Sequence, residues 1–122
     1  MKLTNQEIYD YAIALSESFT DGSQRLPVKI NFYLQKNKNT LLKLAQDIEA
    51  ERMSIIREYG QPTEENEQYI IPKEDVATVQ KELSELFALE QNVDIYAINL
   101  NDFDSNLSLS MSQMEAMMFM IV

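Results

Sequence analysis

The sequence contains no cysteine and no histidine. Without these residues the usual tetrahedral zinc site cannot be built, and no thiolate nucleophile exists. Histidine is also the side chain that most often acts as a general base near neutral pH. Carboxylates, lysines, tyrosines and hydroxyls remain as candidate catalytic groups. We therefore expect a protein that is not an enzyme and that binds neither a cofactor nor a metal.

Glycine and proline are also scarce, with two and three residues among 122, and this favours helices. The length fits one domain that spans residues 1–122. No apolar run reaches ~18 residues, and the first residues lack the pattern of a secretory signal peptide. These absences predict an intracellular protein without a membrane-spanning segment.

Charge is distributed unevenly around a net value of −10. Residues 61–122 contain twelve acidic residues against two lysines, whereas residues 25–43 contain five cations and no acid. Such an acidic half is compatible with a protein that imitates nucleic acid or docks on a basic partner. A plainer interpretation is that the acidic half faces the basic segment within the molecule and keeps it soluble.

The first 26 residues predict one amphipathic helix. Thr4-Asn-Gln-Glu7 has the form of a capping box, in which each end residue satisfies a backbone N–H of the other. The apolar residues that follow lie on one helical face: Ile8, Ala12, Leu15 and Phe19. Asp21-Gly22-Ser23 is expected to end this helix.

Residues 27–60 predict one long helix of up to ~33 residues, since neither glycine nor proline interrupts them. Pro27 suits the first turn, and Gly60 suits a left-handed C-terminal cap. Asn37 to Thr40 is the weak point, because Asn and Thr are poor helix formers and could kink or interrupt the helix. An apolar seam repeats every seven residues: Leu34, Leu41, Ile48 and Ile55. Such a seam needs a second helix or another chain beside it.

The second half predicts a β-α-β-α order after an acidic linker. Tyr69-Ile70-Ile71 and Val93–Leu100 are typical of strands that could pair with each other, with a helix over residues 73–90 between them. Ser110 and Gln113 form a second capping box before a short helix. The predicted fold class is α+β and mainly helical. It has one long helix packed with shorter helices and a small two-stranded sheet, as a helical hairpin-like part (1–60) and an acidic part (61–122).

Residues 111–122 hold five of the seven methionines. Met114, Met117 and Met118 are expected to share one helical face. Because methionine fills irregular gaps, such a face suits a core, here the underside of the small sheet. It equally suits an adaptable docking surface. The core is the interpretation we favour.

Three further motifs are interpreted as structural. Asp102 to Asn106 matches the start of a calcium loop, but Leu107 and Gln113 replace its glycine and its bidentate glutamate. Phe32 and Tyr33 lie within the basic segment, where aromatic and cationic side chains can bind nucleic acid, yet on a helix they belong more often to a core. The last motif is a group of acids in the linker and at a helix start: Glu64, Glu65, Glu67, Glu74 and Asp75.

Several short segments together resemble an uncharacterised family of small proteins, a domain of unknown function, encoded by phages and prophages of Gram-positive bacteria. They are Lys2–Glu7, Leu26–Ile30, Lys36-Asn37, Glu58–Gly60, Gln80–Leu83, Val93–Ile95 and Leu109–Met118. The resemblance implies action in the host cytoplasm or in association with the virion. It supplies no catalytic residues.

The sequence thus predicts a non-enzymatic phage accessory protein that binds another protein, either a virion assembly component or a host defence or replication factor. The partner is a phage or host protein or a second copy of the chain, and neither nucleic acid nor a membrane is expected. One alternative is an acidic nucleic-acid mimic that inhibits a defence system, and another is a small self-assembling structural protein. The predicted partner-binding residues are Leu34, Leu41, Ile48, Ile55, Met114, Met117, Met118 and Phe119.

Overall fold

Helices dominate the computed structural model, which describes residues 1–20, 26–63, 68–103 and 109–122. The α+β, mainly helical class is confirmed. The elements are β1 (Lys2–Thr4), α1 (Asn5–Ser18), α2 (Val28–Tyr59), β2 (Gln61–Pro62), β3 (Tyr69–Ile70), α3 (Val76–Ala88), β4 (Glu90–Asn92) and α4 (Met111–Met117). Single 3-10 turns occupy Lys73–Asp75, Leu100–Asp102 and Met118–Met120.

The capping boxes predicted for α1 and α4 are confirmed. Thr4 Oγ1 accepts from the Glu7 N–H at 3.1 Å, and Glu7 Oε1 accepts from the Thr4 N–H at 3.0 Å. Ser110 and Gln113 exchange the same two bonds at the start of α4. Asp21-Gly22-Ser23, the predicted end of α1, lies outside the described residues.

The predicted long helix is confirmed as α2, which is unbroken over its 32 residues, or about 48 Å, and Asn37 to Thr40 do not interrupt it. Asn37 is fully buried. Its Nδ2 donates to the Tyr96 carbonyl at 2.9 Å, and its Oδ1 accepts from the Tyr96 N–H at 2.8 Å. A poor helix former is therefore tolerated because it binds the backbone of the distant segment 93–99. Pro27 precedes the first turn of α2 and acts as its N-cap.

Gly60 ends α2 without the left-handed conformation predicted for it, since its φ of −85° and ψ of 153° are extended. Glycine is required there for a different reason. A Cβ atom would lie 2.5 Å from the Ile56 carbonyl oxygen and 3.0 Å from the Cβ of Tyr69. The close approach of β3 to the end of α2 therefore leaves no room for a side chain.

The predicted pairing of Tyr69–Ile71 with Val93–Leu100 is also wrong. β3 pairs antiparallel with β2, and β1 pairs antiparallel with β4. The N–H of Asn5 donates to the Leu89 carbonyl at 2.8 Å, and Asn5 Nδ2 donates to the Leu86 carbonyl at 2.8 Å. These bonds hold the start of α1 against the end of α3. They thereby bring β1, which precedes α1, next to β4, which follows α3.

One hydrophobic core joins both halves of the chain. The α1 helix packs between α2 and α4, and α2 also packs against α3. The core residues come from every helix and from the segment after β4: Leu3, Ile8, Ala12, Leu15, Ile30, Leu34, Leu41, Ile48, Leu86, Val93, Ile98, Ala116, Met117 and Met120. Within the described part of the chain, no helix is long and apolar enough to cross a membrane.

The methionine-rich segment contributes core residues, but its predicted common face does not exist. Met117 is buried, whereas Met118 is 64% exposed, because the helix tightens into a 3-10 turn at Met118. Phe119 stacks on Tyr11 with ring centroids 4.3 Å apart. The segment therefore covers α1 rather than the underside of a sheet. The backbone of Ile98 bonds to Met120 and Val122.

Candidate protein-binding groove

The structure places most of the predicted partner-binding residues inside the protein. Leu34, Leu41 and Ile48 are buried by α1 and by residues distant in sequence, so their side chains offer no surface to a partner. The seam is thus covered by this chain's own helices. Of its four residues, Ile55 is half-buried and lies at the edge of a groove. In the methionine-rich segment, Met117 is buried, Met114 and Phe119 are half-buried, and Met118 is exposed.

That groove lies between the second half of α2 and the facing side of α3, and its volume is about 440 Å³. Three apolar side chains form its floor: Ile55, Leu86 and Leu89. Four carboxylates form its rim: Glu51, Glu58, Glu82 and Glu85. Helical spacing explains the arrangement, because residues three, four and seven apart share one face of a helix. We call this site the acidic groove.

The floor of the acidic groove is open to solvent at Leu89, which is 59% exposed. The backbone of Leu89 is nevertheless held on both sides. Its N–H donates to the Leu86 carbonyl at 3.3 Å, and its carbonyl accepts from the Asn5 N–H at 2.8 Å. An apolar side chain on a fixed backbone is suited to anchor a partner, because binding then costs little additional backbone conformational entropy.

No lysine or arginine lines the acidic groove among the described residues. Arg52, one turn along α2, is engaged by Glu49, with Nη2 donating to Oε1 at 2.6 Å and Nε donating to Oε2 at 2.9 Å. The four carboxylates of the rim are therefore not neutralised by a cation in the groove. Three of these carboxylates, those of Glu51, Glu58 and Glu85, are exposed, so their negative charge faces solvent around the apolar floor.

Tyr59, at the end of α2, is in contact with Glu82 of the rim. Tyr59 Oη donates to Glu82 Oε1 at 3.2 Å. Partial burial, the bond to Glu82 and the charges of Glu82, Glu58 and Asp75 all raise the pKa of Tyr59, so its phenol keeps its proton. The second oxygen of Glu82, Oε2, is buried and has no hydrogen-bond partner among the described residues.

A second groove, of about 350 Å³, separates α1 from the middle of α2. Its carboxylate Glu49 is already bound by Arg52 and by Tyr9, whose hydroxyl donates to Oε2 at 3.1 Å. The hydrogen bonds from Arg52, followed by the one from Tyr9, lower the pKa of Glu49. The remaining lining residues are Ala12, Ile13, Ser16, Glu17, Leu42, Ala45 and Gln46. Since Glu49 is neutralised internally and Glu17 is the other carboxylate of the lining, this groove carries less negative charge than the acidic groove.

The structure assigns no chemistry to the other sequence motifs. Among residues 1–20, 26–63, 68–103 and 109–122, no group of three or more carboxylates is placed to hold a metal ion. Asp102 instead pairs with Lys29 at 3.1 Å. Several residues of the calcium-like and acidic motifs lie outside the described ones: Glu64, Glu65, Glu67, Asp104, Ser105, Asn106 and Leu107.

Comparison with protein-family models, with curated proteins and with solved structures finds no match to this chain. Function is therefore argued from the geometry of the acidic groove. Sequence reasoning found Ile55 but missed the four glutamates of the rim. The available signal was their spacing, since Glu51, Ile55 and Glu58 recur on one face of α2. Which face of α3 meets them became visible only in the fold.

Proposed function

We propose that this protein is a non-enzymatic accessory protein that binds another protein through the acidic groove. The observation that carries the proposal is the combination of four unneutralised glutamates with an apolar floor in one groove. A partner surface that presents lysine or arginine around apolar side chains complements both the carboxylates and the apolar floor of the groove. The apolar part supplies affinity, and the charges set partner choice and orientation.

The setting we propose is a phage one, with action in the host cytoplasm or on the virion. It rests on the resemblance of the sequence to small phage and prophage proteins. Binding without catalysis also agrees with the chemistry of the groove, which is lined by carboxylates and apolar side chains and has no nucleophile beside a base among its described residues.

An acidic nucleic-acid mimic is the main rival. A mimic acts through its negative charges alone, on a basic site that normally binds phosphates. Leucines at the centre of the carboxylates add nothing to such imitation. The exposed Leu89 and the half-buried Ile55 therefore favour recognition of a protein surface with apolar side chains.

The rim is tested with an amphipathic helical peptide composed only of leucine and lysine, labelled with a fluorophore. We expect the double variant Glu58→Gln/Glu85→Gln to bind this peptide at least about tenfold more weakly than the wild type, a loss of about 1.4 kcal/mol. Both side chains are exposed, so the substitutions leave the core intact. Fluorescence anisotropy titrations at low and at moderate salt measure the two Kd values.

Glu115→Gln, an exposed glutamate on α4, is the matched control. We expect it to change the Kd less than twofold at moderate salt, where charges more than about 8–10 Å away are screened. The control removes one charge and the double variant removes two, so a control that loses half as much binding free energy as the double variant would mean that the peptide follows net charge only. That result would remove the support for the acidic groove as a binding site.

A further inference from the structure

The first turns of α2 carry an exposed surface of opposite character to the acidic groove. Val28 is 88% exposed and Phe32 is 52% exposed. Lys29 and Lys36 lie beside them, with Lys36 Nζ 5.5 Å from the centroid of the Phe32 ring. The four positions follow one face of the helix at helical spacing. We call Val28, Lys29, Phe32 and Lys36 the basic helical face.

This face is an unusual feature for a helix of a single acidic domain. Two large apolar side chains one turn apart point away from the core, with two lysines along one side of them. An amphipathic helix that docks in a groove uses the same arrangement, with apolar anchors one turn apart in the groove and charges at its rim. The structure therefore contains both a groove for a basic amphipathic helix and such a helix.

Building on the proposed function, we infer that the occupant of the acidic groove is the basic helical face of a second copy of this chain. Val28 and Phe32 of one copy would lie over Ile55, Leu86 and Leu89 of the next. Lys36 would then stand among the exposed glutamates of the rim, and Lys29 would join it by exchanging its pairing with Asp102, at 3.1 Å in the single chain, for a rim carboxylate.

The contact has to be made between molecules. Phe32 and Ile55 belong to the same unbroken helix and are about 35 Å apart along its axis. A chain cannot bring its own basic helical face to its own groove. Because the face and the groove are different surfaces, each copy keeps one of them free, and association continues head to tail into a ring or a row.

The net charge of −10 opposes this association at long range, so we expect it to appear at high protein concentration and moderate salt. Mass in solution is measured by light scattering and sedimentation, up to about 1 mM protein, a concentration that reveals association with a Kd as weak as about 1 mM. The wild type is expected to gain mass steadily with concentration.

Two variants each disrupt one side of the proposed interface. The groove variant is Glu58→Lys/Glu85→Lys, and the face variant is Phe32→Ser/Lys36→Ser. All four side chains are exposed, and circular dichroism is expected to show unchanged helix content. Each variant alone is expected to remain a monomer. An equimolar mixture is expected to form a one-to-one dimer and nothing larger, because only one intact face and one intact groove are present.

Three results would overturn the inference: a monomeric wild type over the whole concentration range, association that persists in either variant, or a mixture that stays monomeric. The leucine–lysine peptide separates this failure from failure of the proposed function. If the wild type stays monomeric while the peptide still distinguishes Glu58→Gln/Glu85→Gln from Glu115→Gln, the groove binds a different protein. If the peptide binds these two variants with equal Kd values, the proposed function is contradicted as well.

Discussion

Deleting residues 111–122 is expected to unfold the protein. The segment contains three buried side chains, Ala116, Met117 and Met120, and the Phe119 ring that stacks on Tyr11. Replacing one buried methionine by alanine already costs about 2–5 kcal/mol. The whole stability of a domain of this size is about 5–15 kcal/mol. Removal of the segment also exposes α1 and breaks the backbone bonds of Ile98 to Met120 and Val122, so little stability is left.

Thermal unfolding followed by circular dichroism compares the full chain with the shortened one. Two point variants calibrate the result. Met117→Ala is expected to cost about 2–5 kcal/mol because Met117 is fully buried. Met118→Ala is expected to stay within about 0.5 kcal/mol of the wild type because Met118 is exposed. A shortened chain that keeps its helix content and unfolds cooperatively would show instead that the segment is dispensable for the core.

Asn37→Ala is expected to lower the free energy of unfolding by about 2–4 kcal/mol. The Asn37 amide makes two hydrogen bonds to the backbone of Tyr96, at 2.8 and 2.9 Å. The Tyr96 backbone is partly buried, so each of its two groups left without a partner costs about 1 kcal/mol, and the shorter side chain at the fully buried position 37 leaves a cavity. The loss outweighs the higher helix propensity of alanine, which is worth less than ~1 kcal/mol.

Asn39→Ala is the matched control for this prediction. Asn39 lies two residues further along α2 and is exposed, so the substitution changes propensity without breaking a described buried bond. We expect the control to be neutral or slightly stabilising. Urea unfolding measures the midpoint and the slope of the unfolding transition for each variant. If the two variants had equal midpoints, Asn37 would contribute no more than its helix propensity and would not anchor residues 93–99.

Local signals in the sequence predicted the helices well. Capping boxes and apolar spacing are properties of neighbouring residues, so the starts of α1 and α4 and the length of α2 followed from them. Strand pairing did not follow, because β1 and β4 meet only through the packing of α1 on α3. Asn37 was misjudged for the same reason. Its low propensity is local, whereas its hydrogen bonds join residues far apart in sequence.

The binding site was harder to predict than the fold. A seven-residue seam indicates that Leu34, Leu41 and Ile48 need cover, but the sequence does not say whether that cover is this chain or another. Here α1 and the later segments provide it. The acidic groove needs two helices in a specific relative rotation, and no local pattern specifies that rotation. Only Ile55 belongs to both the predicted residues and the groove.

The most direct test of the acidic groove as a protein-binding site concerns its apolar floor. Leu89→Ser and Leu100→Ser form a matched pair, because both leucines are 59% exposed and only Leu89 lines the groove. We expect Leu89→Ser to bind the leucine–lysine peptide about tenfold more weakly, and Leu100→Ser to bind it as the wild type does. Equal Kd values for the two variants would show that the carboxylates act alone, as in a nucleic-acid mimic, and would contradict recognition of a protein through the groove.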